Sequence, residues 1–107
     1  MIVFNRIDHR LIHGQVAYAW LNYVGADCIL IPNDNLVNDK FKKTALKLAK
    51  PAECKLVIKT IEDAAVALNS GVTDKYKLSI IFETVEDLYR LCQLTDCIKE
   101  VNFGLSN

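Results

Sequence analysis

The chain has no excess of charge of either sign, no long apolar run and no closely spaced cysteine pair. Thirteen Lys and Arg residues are matched by thirteen Asp and Glu, so no global field argues for nucleic acid or an anionic membrane as a partner. No apolar stretch reaches the length of a membrane span. The opening Met-Ile-Val-Phe-Asn-Arg lacks the charged-then-apolar plan of a secretory signal. Cys28, Cys54, Cys92 and Cys97 lie in apolar segments without C-x-x-C spacing. That usage fits buried free thiols in a reducing cytoplasm, with a zinc site from two of them plus a histidine as the lesser alternative. Low-complexity tracts and linkers are also missing.

What remains is 107 residues, 51% hydrophobic and 24% charged, the size and mix of one folded domain. Locally, Lys40, Lys42, Lys43, Lys47, Lys50, Lys55 and Lys59 bunch in the middle third. A solvated helix face with its flanks is the plain reading, and a docking patch the other.

The elements read in alternation. Ile2 to Phe4 suits a buried strand. From Gly14 a helical pattern carries Val16, Trp20 and Val24, with Ala17 and Leu21, to a stop at Gly25. Asp27 to Pro32 is a second strand, closed by Asn33, Asp34 and Asn35. A helix from Asn38 or Asp39 lines Phe41, Ala45, Leu48 and Ala49 on one side and ends at Pro51. Lys55 to Lys59 is a third strand. Thr60 and Asp63 resemble a capping box that opens a helix with Ile61, Ala64, Ala65 and Leu68 up to Gly71. Lys77 to Phe82 is a fourth strand. Thr84 and Asp87 repeat the cap before Val85, Leu88, Leu91 and Cys92, and Ile98 to Phe103 is a fifth strand. The predicted fold is α/β: an open, doubly wound, mostly parallel sheet with helices on both faces. Trp20, Phe41 and Phe82 are expected in the core.

Chemistry concentrates in residues 6 to 16, at a strand-to-helix turn, where free amides and the helix dipole favour phosphate. His13 offers a neutral nucleophilic nitrogen near neutral pH. A phosphoryl group received there forms a reactive phosphoramidate, and the site must supply geometry and charge stabilisation. Arg10 presents a planar cationic fork to phosphate oxygens, with a surface ion pair to Asp8 or a nearby carboxylate as the other reading. Arg6 is a second cation for the same loop, or an ion-pair partner of Asp8. Asp8 orients an arginine or the His13 ring, or shapes the loop as an Asx turn. Gly14 permits close approach of the backbone, and Gln15 and Val16 begin the helix whose amides face the anion. Asn33 and Asp34, ending the second strand, are second-rank candidates. His9 and His13 stand four apart, but no third metal ligand is evident. No Walker loop, Ser-His-Asp order or paired-carboxylate spacing is present.

Arg6-Ile7-Asp8-His9-Arg10-Leu11-Ile12-His13-Gly14-Gln15-Val16 resembles the active-site signature of the IIB domain of the mannose/fructose/sorbose-type bacterial sugar phosphotransferase system. Pro32-Asn33-Asp34, Ala49-Lys50-Pro51, Phe82-Glu83-Thr84-Val85-Glu86-Asp87 and Asn102-Phe103-Gly104 extend the likeness over the whole chain. The resemblance implies that His13 is phosphorylated at Nδ1 by a histidine of a IIA component, with Arg10 stabilising the group in transfer. Gly14, Gln15, Asp8 and Arg6 form the phosphate-binding surroundings. The phosphoryl group then passes to a sugar bound by membrane IIC and IID partners. No cofactor, metal or nucleic acid is implied, and the expected place is the cytoplasmic side of a membrane transport complex. His9 departs from the family's usual acidic residue. Family domains continue beyond this endpoint, so residues 1–107 are expected to be one phosphocarrier domain lacking its C-terminal part. A non-catalytic regulatory module, or an anion- or nucleotide-binding module on the same fold, is the alternative.

Overall fold

Cys28–Pro32 and Leu78–Phe82 are buried along their whole lengths, which requires cover on both faces of whatever sheet they form. The computed structural model describes residues 2–9, 11, 19, 21–96 and 102–103. Five strands, β1 (Ile2–Ile7), β2 (Cys28–Pro32), β3 (Lys55–Lys59), β4 (Leu78–Phe82) and β5 (Asn102–Phe103), form one sheet in the order β3-β2-β4-β1-β5. All of its pairings are parallel. The doubly wound α/β architecture is therefore as expected. β1 runs past the expected Phe4 to Ile7, and residues 98–101 of the expected last strand lie outside the described residues.

Strand alternation sends neighbouring residues to opposite faces. Cys28, Leu30, Leu78, Ile80 and Phe82 join one core, with Ile61, Ala64, Ala65, Leu68 and Leu91 from helices α2 (Ile61–Ser70) and α3 (Val85–Cys92). Ile29, Ile31 and Ile81 join the other, with Leu21, Leu36 and Leu46. Leu46 belongs to α1 (Lys40–Ala49), and Leu21 to a helical stretch, residues 21–24, that ends at Gly25. Gly25 takes φ +70, a left-handed helix stop that glycine adopts without steric cost.

Both expected caps form. The Thr60 and Thr84 side chains each accept a hydrogen bond from the backbone N–H three residues on, at 3.1 Å. Asp39 does the same for α1 through the Lys42 N–H. An unanticipated 3-10 turn, Leu36–Asn38, sits between β2 and α1.

Two expectations about packing, for the outer stripe of α1 and for Cys92, are overturned. Phe41 and Leu48 are 85% and 82% exposed, because Leu46, with Ala49, faces the sheet and turns the opposite stripe of α1 outward. Val85 is exposed at the first turn of α3, where Leu88 and Leu91 make the contact with the core. Cys92 is exposed rather than buried, whereas Cys28 and Cys54 are buried free thiols. Burial is the main cause that pushes both buried thiols up in pKa, and the Cys54 Sγ donates to the Ala26 carbonyl at 3.2 Å. Cys97 and Trp20 lie outside the described residues.

Candidate functional site

The chain leaves β2 along one face toward β3, and leaves β4 along the other face toward the β5 edge. Adjacent parallel strands whose connections part in this way open a crevice at their carboxyl ends. β1, the strand that leads into the histidine motif, lies directly beside β4.

Residues beyond the strand ends are knitted across this crevice. The Asp8 N–H donates to the Phe82 carbonyl at 2.9 Å, extending the β1–β4 pairing by one residue. Asp8 is buried, and its Oδ2 lies 3.5 Å from Arg6 Nε. A buried carboxylate needs such pairing to offset lost hydration. Of the two readings of Arg6, the structure therefore shows contact with Asp8, in a sheltered rather than a surface setting. The chain then turns tightly: the Leu11 N–H donates back to the Asp8 carbonyl at 2.9 Å. Leu11 itself has φ +57, a left-handed conformation that costs a non-glycine residue about 1–3 kcal/mol. Its side chain is buried against Leu36, Leu46 and Ile81 in the second core, and that burial offsets the strain.

Asn33 is a second organising residue. Its Oδ1 accepts from the Asn35 and Leu36 N–H groups, at 3.1 and 3.0 Å, which shapes the 3-10 turn. Its Nδ2 donates to Glu83 Oε1 at 2.8 Å and ties the loop after β2 to the loop after β4. Asp34 reaches the other way. Oδ1 accepts from the Ile61 N–H at 2.9 Å, and Oδ2 pairs with Arg90 at 2.8 Å. The Ile61 amide, then Arg90, holds the Asp34 carboxyl below its ordinary pKa. Asp87, one helical turn before Arg90, is raised instead, because burial outweighs the Thr84 hydrogen bond.

Under these loops lies a cleft of about 320 Å³ lined by His9, Leu11, Leu36, Lys42, Leu46 and Glu83, among other residues. Its floor is apolar, and its rim carries a lysine, a histidine and a carboxylate. A group with charge and an apolar body fits such a lining.

Of the expected site residues, Asp8 and Arg6 are together at the end of β1. His13, Arg10, Gly14 and Gln15 lie outside the described residues. Sequence reasoning left Asn33 and Asp34 in second rank, yet their side chains fix three neighbouring elements. Lys42 and Glu83 had no assigned place in a site. The Asn33–Glu83 pair spans 50 residues, a distance over which no local pattern signals contact. Among the described residues, no three His, Cys, Asp or Glu side chains gather as a metal site, and no helix is long and apolar enough to cross a membrane.

Comparison with known proteins places this geometry in a family. The fructose-specific EIIB component of Bacillus subtilis is 31% identical over 103 residues, covering 96% of this chain and 63% of that protein. The mannose-specific EIIAB component of Escherichia coli is 31% identical over 102 residues, covering 92% of this chain and 31% of its own length. The crystal structure of the IIBSor domain of the sorbose permease from Klebsiella pneumoniae superposes with a TM-score of 0.90 at 30% identity. That match covers 97% of this chain and 64% of the IIBSor chain. The chain thus spans a little under two thirds of the length of its stand-alone IIB relatives. The family model for the sorbose-subfamily IIB component of the phosphotransferase system matches residues 2–107, and the chain belongs to that family.

Proposed function

We propose that this chain is the phosphoryl-carrying IIB domain of a bacterial sugar phosphotransferase system. His13 receives a phosphoryl group from a IIA component and gives it to a sugar held by membrane IIC and IID partners, with the domain working on the cytoplasmic side of that complex. The observation that carries the reading is the family match over residues 2–107, which includes the whole histidine motif. The joint EIIAB name of the Escherichia coli relative supports a IIA donor that acts close to the IIB domain.

In the first step a donor P–N bond breaks as the His13 Nδ1–P bond forms. In the second, a sugar hydroxyl attacks phosphorus, the His13 P–N bond breaks, and the hydroxyl proton is lost to solvent or a base. Arg10 neutralises charge on the equatorial oxygens during both steps, and Arg6, Gly14 and Gln15 complete the cradle. Asp8, buried against Arg6, holds that guanidinium in a fixed orientation. The strained turn at Leu11 sets the direction in which the chain enters the motif.

The test is incubation with phosphorylated IIA protein, followed by mass spectrometry of the labelled residue. Acid-labile label on His13 is expected, and none in His13→Ala. Label that persists in that variant, or its absence from the unsubstituted chain, overturns the assignment, and the second result favours a non-catalytic module on the same fold. Arg10→Ala is expected to slow transfer by roughly a hundredfold or more, as loss of one preorganised charge partner does.

A further inference from the structure

α1 carries two features that work against its own stability. Its first turn holds Lys40, Lys42 and Lys43, and the carboxylate that answers the positive end of the helix dipole is the N-cap Asp39 rather than a residue of the turn itself. α2 and α3 instead carry acids, Glu62 and Asp63, and Glu86 and Asp87, within their first turns. Among the described residues no carboxylate pairs with Lys40, Lys42 or Lys47. The second feature is apolar: Phe41 and Leu48 are almost fully exposed. They stand seven residues apart on one stripe, with Thr44 and Ala45 between them. The two small residues leave a shallow notch, open to solvent, between the two large ones. Helical spacing sets Lys40 and Lys47 along one flank of this notch and Lys42 along the other.

We propose that this face of α1 docks an acidic protein partner: a helix with an apolar ridge, flanked by Asp and Glu, laid into the notch between Phe41 and Leu48. Charge decides the class of occupant. A second copy of the same face would set the lysines of one α1 against those of the other, while the acid at the helix end, Asp39, is engaged as the N-cap through the Lys42 N–H. Shape decides against a lipid surface. Membrane-facing helices present a continuous apolar wedge, whereas this stripe is notched at Ala45 and takes a protruding side chain, as a hole takes a knob. Lysines set against a helix dipole, beside apolar side chains left in water, are placed for a complementary surface rather than for the fold.

The test is titration of the chain with a synthetic helix-forming peptide that has a leucine ridge flanked by glutamates, followed by NMR and calorimetry. Saturable one-to-one binding is expected, with shift changes centred on residues 40–48 and affinity that falls as salt rises. Leu48→Ser should weaken binding by roughly thirtyfold, the size of truncating an anchoring residue, with thermal unfolding unchanged because the site is exposed. Lys40→Glu should weaken binding while it makes the helix more stable, a split that a purely structural role cannot produce. The proposal is overturned if the peptide does not bind, or if Leu48→Ser binds it equally. It is also overturned if a peptide with lysines in place of the glutamates does as well. Binding to phosphatidylglycerol vesicles without binding to the peptide overturns it in favour of a lipid surface. Self-association of the chain that Leu48→Ser abolishes overturns it in favour of a second copy.

Discussion

α1 and α2 are each ten residues long and lie on opposite faces of the same sheet, yet they use their residues differently. α2 buries Ile61, Ala64, Ala65, Ala67 and Leu68, while Leu46 is the one buried residue of α1. α2 begins with two acids and α1 with three lysines. Both have a side-chain cap, so at their starts the difference lies in first-turn charge and not in capping. α2 is held by its core, and α1 keeps much of its apolar and charged surface in solvent. The second pattern stabilises a fold little, which is why it points to binding.

The contrast can be broken most sharply in the core. Leu68→Ala should cost about 2–5 kcal/mol, whereas Leu48→Ala should stay within about 0.5 kcal/mol; urea unfolding of both variants measures the gap. Similar losses would mean that α1 is held as tightly as α2. The caps should erase the contrast instead. Thr60→Ala and Asp39→Ala should each cost about 1 kcal/mol, read from the same unfolding curves. Charge should then reverse it. Lys40→Glu should stabilise α1, and Glu62→Lys should destabilise α2, each by about 0.3–1 kcal/mol at low salt. Both effects should shrink when thermal unfolding is repeated at high ionic strength.

The smallest effect concerns acid. Asp34 has a lowered folded-state pKa, so its contribution is present above the unfolded carboxyl value and lost as pH falls through the folded one. Asp87, raised by burial, has the opposite sign: its ionisation costs stability as pH rises through the carboxylate range. Asp34→Asn keeps an acceptor for the Ile61 N–H but loses the charge facing Arg90. Its stability should therefore fall less steeply than that of the unsubstituted chain between neutral and acid pH. The shift is modest because the Asp34–Arg90 pair is partly exposed.

Much of the fold was legible in the sequence because its signals are local. Thr60 and Thr84, each three residues before an aspartate, marked helix starts, and the mostly apolar runs of β2 and β4, the second interrupted by Ser79, marked strands. The site was legible as a motif but not as an assembly. Arg6 and Asp8 could be paired because they stand two residues apart at the end of one strand. Nothing near Asn33 announces Glu83, and nothing near Asp34 announces Arg90, 56 residues away. Those contacts exist because right-handed crossovers bring the carboxyl ends of β2 and β4 side by side.

α1 shows where sequence alone stopped. Its apolar residues support two stripes, Phe41 with Ala45 and Leu48, or Leu46 with Ala49, and helical periodicity fits either. Packing against Leu36 and the sheet chose Leu46. By itself the sequence determined the order of the elements, their caps and the histidine motif that follows β1, since propensity, turn chemistry and short-range spacing lie in contiguous residues. The tertiary structure decided which helix faces meet water, which loops meet across the crevice, and that Leu11 turns left-handed, because each of these depends on residues far apart in the chain competing for the same space.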